Sequence, residues 1–328
     1  MNIAIIGYSG MGRWHARVIE EIEGLNLVGT YTVSEKGRSL ARENGLYVYS
    51  SLEELLADPA VDIVTVSTPN HLHRPICIQA MRAGKHVVCE KPAALDHWEL
   101  QEMIDVAKEE RVIFTAHQNR RWDQDFRTIK HIYEQGTLGN VYRIESRLHH
   151  ANGIRKGWRN QKECGGGMVL DWGVHLLDQM LQLTKQPIRS IYAELSHVTN
   201  DTCEDGFTAT IKFEGGLTAV VEVGTGNHIR LPRWYVLGEN GSAQINSKEL
   251  DGKIVLAAGL EKKGAEVEYP LPVQESDVRE FYRNIMAAIE GKEQLLITHD
   301  EMMRVMKLME AIIESGESNT VITDFEAR

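Results

Sequence analysis

The first 118 residues alternate short β-branched runs with amphipathic helical stretches, and this alternation constrains the chain more than any other feature. Strand-like runs at 3–6, 25–31, 47–49, 63–66, 86–89 and 112–115 are interleaved with residues at helical spacing. Trp14, Val18, Ile19 and Ile22 form one such set, and Leu52, Leu55 and Leu56 form another behind Ser51 as a candidate N-cap. Gly84 stands where the helix 75–83 should stop. Repeated βαβ units build a parallel sheet, and the nearly apolar run 61–66 predicts that helices cover it on both faces.

Beyond Gln118 the texture changes. A helical stretch at 125–134 is followed by longer alternating segments. In 142–148, Tyr142, Ile144, Ser146 and Leu148 share one face, while Arg143, Glu145 and Arg147 share the other. Segment 207–213 alternates likewise, and Gly215-Gly216 supplies a hairpin turn before 217–223. Further strands are predicted near 188–198, 234–237, 243–246, 254–257 and 266–269, with amphipathic helices at 276–290 and 299–315. This half reads as a large, mostly antiparallel, open-faced sheet flanked by helices. Residues 1–118 are thus predicted to form a Rossmann-type α/β domain and 119–328 a second α/β domain. A chain of 328 residues exceeds the size at which single cores usually stop growing.

Composition narrows the partners. The 36 Lys and Arg stand against 47 Asp and Glu, a formal charge of −11, which disfavours non-specific binding to nucleic acid or to anionic membranes while leaving room for a local basic patch. No apolar run approaches the roughly 18 residues of a spanning helix, and the opening MNIAIIGYSG lacks the basic region of a signal peptide. A soluble cytoplasmic protein is expected, with neither nucleic acid nor membrane as partner. Cys77, Cys89, Cys164 and Cys203 lie far apart with no C-x-x-C pair, so they read as reduced structural thiols. The histidines are mostly scattered, and no metal is expected.

Gly7-Tyr8-Ser9-Gly10-Met11-Gly12 follows the first strand and opens the first helix. Such a turn lets backbone N–H groups approach a pyrophosphate resting on the positive end of the helix. Against G-x-G-x-x-G, Gly7 and Gly12 fit, while Ser9 takes the middle position and Gly10 follows it. An acidic residue about 20 positions further on would bind the adenosine ribose. Thr32 stands there instead, followed by Ser34, Lys36 and Arg38. Without the carboxylate a 2′-phosphate meets no repulsion, and these three side chains are candidates to bind it, so NADP is favoured over NAD.

Thr68-Pro69-Asn70-His71-Leu72-His73 follows the run 63–66, and Glu90-Lys91-Pro92 follows the run 86–89, both at carboxyl ends of predicted parallel strands, where ligands bind in open α/β sheets. In this placement the chain resembles the Gfo/Idh/MocA family of NAD(P)-dependent oxidoreductases, along essentially its whole length. A second block carries the likeness further: Gly165-Gly166-Gly167-Met168-Val169-Leu170-Asp171-Trp172-Gly173-Val174-His175-Leu176-Leu177-Asp178 resembles the family's catalytic helix. Spacing of i, i+4 puts Asp171 and His175 on one helix face, and the glycines before them are read as permitting close approach of substrate or cofactor. A bare Asp–His pair or two ligands of a metal are the competing readings, but no third ligand is evident.

The resemblance implies hydride transfer between nicotinamide and a sugar, cyclitol or related polyol, by a homodimer or homotetramer. His175 is assigned as general acid/base, Lys91 as the cation beside the reacting oxygen, and Asp171 as a partner of substrate or His175. The cofactor is expected to meet Gly7, Ser9, Gly10, Met11, Gly12, Thr32, Ser34, Lys36, Arg38, Thr68, Pro69, Asn70, His73, Glu90, Lys91, Gln118 and Arg121. Glu90 either anchors its turn or touches the nicotinamide ribose, and the family suggests a cis peptide before Pro92. Trp158 and Arg159 are candidate substrate contacts, and His149-His150 reads as a surface pair, with entry into the pocket as the other reading. Two other functions remain open on the same fold: an NAD-dependent glycosidase-like enzyme, and a nucleotide-sensing regulator without turnover.

Overall fold

The β-branched runs of the first half become five parallel strands, β1 (Asn2–Ile6), β2 (Asn26–Tyr31), β3 (Ile63–Val66), β4 (His86–Cys89) and β5 (Phe114–Ala116), in the order β2-β1-β3-β4-β5. The computed structural model describes residues 1–247, 249–258 and 266–327. It divides into two units, Met1–Asn119 with Asp277–Met303, and Arg120–Ser276 with Arg304–Arg328. Up to Asn119 the helices of the first unit are α1 (Gly10–Glu20), α2 (Glu35–Glu43), α3 (Leu52–Ala57), α4 (His73–Arg82) and α5 (His97–Glu110). Every residue of β3 is buried, as a doubly covered parallel sheet requires. Ser51 caps α3 by accepting from Glu54 N–H at 3.1 Å, as its position predicts.

Two expectations for this unit need correction. The run 47–49 makes only a single bridge, Thr30 to Val48, because the segment between α2 and α3 crosses the edge of β2 too briefly to build a ladder. The chain also returns to this unit at Asp277–Met303, where a single break near Gln118 assigned everything later to the second. The cause lies in α8 (Arg279–Ile289), which buries Phe281 and Tyr282, the latter bonding to His15 on α1 and Thr65 on β3. Amphipathic periodicity predicts that α8 buries a face; it does not say against which sheet.

The second unit holds an eight-stranded sheet in the order β13-β12-β11-β10-β6-β9-β8-β7. Its strands are β6 (Val141–His149), β7 (Ile188–Ser196), β8 (Gly206–Phe213), β9 (Thr218–Gly224), β10 (Trp234–Gly238), β11 (Gly241–Ile245), β12 (Gly252–Ala257) and β13 (Glu266–Tyr269). Pairing is antiparallel except between β6 and β9. Helices α6 (Gln124–Glu134) and α7 (Val174–Leu183) lie in this unit, and α9 (His299–Ser318) enters it at Arg304. Ile144, Trp234, Val236, Ala219, Val221, Phe207 and Ile211 are buried, each large apolar side chain worth roughly 1.5–3 kcal/mol relative to exposure. The opposite face of β6 carries the charged alternation read from the sequence. Glu145 pairs with Arg143 and Arg147, and Glu222 on β9 pairs with Arg147 at 3.2 Å and His149 at 3.0 Å.

Parallel pairing in the register His149 to Gly224 brings the carboxyl ends of β6 and β9 together. The loops that follow are therefore neighbours, joined by His150 N–H to Gly224 O at 2.9 Å.

Candidate active site

The glycine turn of the first unit is required by the protein's own backbone. Gly7 has φ of +96°, and a Cβ there would lie 2.5 Å from Ser67 O; a Cβ on Gly12 would lie 2.0 Å from Gly7 O. A Cβ on Gly10 would meet nothing within 4 Å, so the turn is closed inward and open outward at that residue. Helix α1 starts here with no acidic residue in its first turn and no side-chain cap, which leaves its positive end available to an anion. Around the strand ends, Ser67 Oγ, Thr68 Oγ1 and Gln118 Oε1 are buried without a hydrogen-bond partner among the described residues. Orphaned polar atoms of this kind are uncommon unless a ligand or water satisfies them. A close glycine approach, a bare helix start and three unmatched polar atoms at carboxyl strand ends fit a dinucleotide.

At the end of β2, Thr32 is buried and Lys36 is exposed. Ser34 caps α2 by accepting from Gly37 N–H at 3.3 Å, and Arg38 donates to Val33 O at 2.8 Å with Glu35 beside it at 3.7 Å. No carboxylate stands at position 32, but Glu35 partly offsets the arginine.

The peptide before Pro92 is cis, as the family suggested. Glu90 is buried and anchors its turn: Oε2 accepts from Lys91 N–H at 3.2 Å, while Oε1 meets both His15 Nε2 and His117 Nδ1 at 2.8 Å. Burial would raise the Glu90 carboxyl, but His117 and His15 outweigh it and hold it well below the usual range. Tyr282 continues the chain at 2.7 Å from His15 Nδ1, with Thr65 Oγ1 at 3.1 Å from the phenol oxygen. Burial pushes the phenol's pKa up, so it stays a donor. With His15 neutral, the contacts are satisfied when Thr65 donates to Tyr282, Tyr282 donates to His15 Nδ1, and both rings donate to Glu90. The two histidines and the carboxylate also converge as metal ligands would, yet hydrogen bonds of ordinary length account for their spacing.

Tyr282→Phe is expected to lower stability by about 1–3 kcal/mol, the cost of leaving a buried acceptor unmatched. Urea unfolding measures it, and an unchanged midpoint would mean that His15 Nδ1 finds another donor. The depressed Glu90 pKa carries a matching pH dependence. Its stabilisation is full above the unfolded carboxyl value of roughly 4.3 and is lost as pH falls through the folded value.

His73 departs from expectation. Its ring is fully buried, with Nδ1 2.8 Å from Pro92 O and Nε2 3.0 Å from Thr68 O. Burial pushes its pKa down, so a neutral ring donates to one carbonyl at a time. It sits between the turns after β3 and β4, bonding one of their carbonyls at a time. Arg121 is likewise engaged: its guanidinium grips Asp178 through Nε at 2.9 Å and Nη2 at 2.6 Å, nearly buried.

In the second unit, Asp171 lies on a π-helical turn (Val169–Gly173) that runs into α7, and His175 is buried in the first turn of α7. Arg159 Nε is 3.5 Å from Asp171 Oδ2, and its guanidinium stacks 4.2 Å over the Trp158 ring. One turn beyond His175, Asp178 holds Arg121, and Gln179 donates to Arg120 O at 2.7 Å and accepts from Arg233 at 2.7 Å. Two of the glycines before the turn, Gly166 and Gly167, stand against protein atoms. A Cβ on Gly166 would lie 2.4 Å from Arg159 O, and one on Gly167 would lie 2.3 Å from the Glu204 carboxylate. That carboxylate accepts from Val169 N–H at 3.0 Å, and burial raises its pKa.

Sequence reasoning missed His15, His117 and Tyr282. The available signal was His15 on the apolar stripe with Ile19 and Ile22, a polar residue where burial was expected.

Comparison with known proteins agrees with both halves. Residues 1–118 match the oxidoreductase family model described as an NAD-binding Rossmann fold, and residues 126–244 match the GFO/IDH/MocA C-terminal domain. The chain belongs to the Gfo/Idh/MocA family of oxidoreductases, and its first unit is that family's NAD-binding domain. Among solved structures, an NAD-binding protein from Listeria innocua superposes with a TM-score of 0.96 at 42% identity, covering 99% of this chain and 97% of that one. A 1,5-anhydro-D-fructose reductase of Ensifer adhaerens is 32% identical over 90% of each chain. The NADP-dependent scyllo-inositol 2-dehydrogenase of Bacillus subtilis is 26% identical over 98% of this chain and 95% of its own.

Proposed function

We propose that the protein transfers a hydride between a nicotinamide cofactor, NADP in preference to NAD, and the CH–OH group of a sugar, cyclitol or related polyol. The observation that carries this reading is the turn Glu90–Lys91–Pro92, whose backbone is clamped by Glu90 and His73 so that one lysine is displayed at the carboxyl end of β4. A sensor without turnover has no need of a lysine on a fixed turn together with an Asp and a His one helical turn apart. The named activities of the Ensifer and Bacillus relatives support the substrate class.

When bound, the nicotinamide supplies the hydride acceptor or donor. Gly7, Ser9, Gly10, Met11 and Gly12 would receive the pyrophosphate, with Ser67, Thr68 and Gln118 offering their unmatched atoms and Pro69 and Asn70 shaping the turn after β3. Lys91 stabilises negative charge developing on the reacting oxygen. His175 takes the hydroxyl proton in oxidation and returns it in reduction. Asp171, with Arg159 against it, orients substrate, and Trp158 forms its wall. Arg121 acts through Asp178 to hold α7.

A cofactor-reduction screen over polyols with NAD and with NADP tests the reading; absorbance silence across a broad panel, with tight cofactor binding retained, would overturn it. The NADP preference rests on Ser34, Lys36, Arg38 and the missing carboxylate at Thr32. Lys36→Ala with Arg38→Ala is expected to raise the NADP dissociation constant by roughly tenfold or more, each lost charge-assisted contact being worth about 1.5 kcal/mol. NAD affinity should move little, and equal weakening of both cofactors would assign these side chains elsewhere.

A further inference from the structure

We infer that the substrate carries an anionic group, a carboxylate or a phosphate, and that Arg155 and Arg230 bind it beside Asp171. This deepens the function proposed above and rests on its placing Asp171 against substrate.

In a chain of net charge −11, the loops 150–164 and 225–233 carry Arg155, Lys156, Arg159, Lys162, Arg230 and Arg233 against Glu163 alone. Three of these cations have internal work. Arg159 lies 3.5 Å from Asp171, and Lys162 lies 2.6 Å from Glu317. Buried Arg233 lies 3.2 Å from Asp125 and bonds Ser146 and Gln179. Arg155, Lys156 and Arg230 are exposed, and among the described residues none of them joins an ion pair.

Solvated surface cations are ordinary; their convergence is what distinguishes these. The two loops leave the adjacent parallel strands β6 and β9 and are fastened to each other. Gly153 N–H donates to Thr225 O at 3.0 Å, and Asn227 N–H donates to His150 O at 3.0 Å. Half-buried His150 registers the resulting field. Burial lowers its pKa, Arg155 and Arg230 lower it further by repulsion, and Asp171 opposes them. One arginine from each loop and the Asp171 carboxylate thus act on a single ring. Thr225 adds a buried hydroxyl with no hydrogen-bond partner among the described residues.

A neutral polyol is recognised by mixed donors and acceptors and gains little from such a field. Carboxylate and phosphate oxygens match the planar fork of arginine, with charge-assisted bonds about twice as strong as neutral ones.

The test compares matched sugars, glucose with glucuronate and glucose 6-phosphate, and myo-inositol with its monophosphate, on the NADP-loaded enzyme. The wild type should favour an anionic member, and the carboxylate and phosphate arms separate the two sources of charge. In Arg155→Gln, Arg230→Gln and the double variant, the anionic-to-neutral ratio of kcat/KM should fall roughly 10- to 100-fold, through KM, with the preference also weakening at high salt. Equal use of neutral and anionic sugars by wild type and variants would overturn the inference, as would weaker NADP binding in place of weaker substrate binding. If no sugar of either charge turns over, the proposed reaction fails on its own. Calorimetric titration of glucuronate and glucose 6-phosphate into NADP-loaded wild type and variants then decides the anion site, and identical or absent binding would remove it.

Discussion

Lys91→Met is expected to lower kcat by about 10²–10³-fold, the loss seen when one preorganised donor to a developing oxyanion is removed. Folding should be nearly untouched, because the contacts that shape the turn are made by atoms the substitution preserves. Glu90 Oε2 accepts the backbone N–H of residue 91 at 3.2 Å, and His73 Nδ1 lies 2.8 Å from the carbonyl of Pro92. The Cys89 thiol reaches the carbonyl of Ala93 at 3.7 Å. All three grip main chain, so the turn keeps its course without the ammonium group. Methionine preserves the length and much of the apolar stem of lysine while deleting the charge. Steady-state rates paired with urea unfolding separate the two effects. A variant with wild-type turnover would remove Lys91 from the chemistry, and one that unfolds much earlier would make it a structural residue.

His73 and Glu90 together show where sequence reading stops. Motif places both near a cofactor, with anchoring of its own turn as the other reading for Glu90, and the carboxyl ends of β3 and β4 fall where the β-branched runs predict them. A motif locates a turn and says nothing about which way each side chain faces. His73 and Glu90 turn inward because the chain around them offers partners far off in sequence, His15 and His117 for Glu90 and the Pro92 carbonyl for His73. Gly166 and Gly167 misled similarly. Composition there suggested room for a ligand, whereas Arg159 O and the Glu204 carboxylate occupy the space a side chain would need. Features set by local periodicity were legible: the doubly buried β3, the Ser51 cap, and the charged face of β6 with Arg143, Glu145 and Arg147. Long-range choices were not, above all the return of α8 to the first unit through Tyr282.

His175→Asn is expected to lower kcat/KM by about 10²–10⁴-fold, the usual contribution of a positioned general acid or base, and to change the shape of its pH profile. In the oxidative direction the wild type should gain activity as pH rises, with a slope of one while the imidazole loses its proton, because only the neutral ring accepts one from the substrate hydroxyl. Asparagine keeps a polar planar group but does not titrate, so the variant should be slow and lack that acidic limb. The helix that carries the ring is fixed from behind. Asp178 and Gln179, one turn further along α7, hold Arg121 and the Arg120 carbonyl at 2.6–2.9 Å, and buried Arg233 braces Gln179. Those bonds survive the substitution, so lost activity reports the missing base rather than a displaced helix. Asp178→Asn supplies the complementary case: with a neutral partner for Arg121 the helix loosens, activity drops, and the acidic limb persists because His175 still titrates. If His175→Asn retains the wild-type limb at the same pH, the proton goes to another group and the assignment fails.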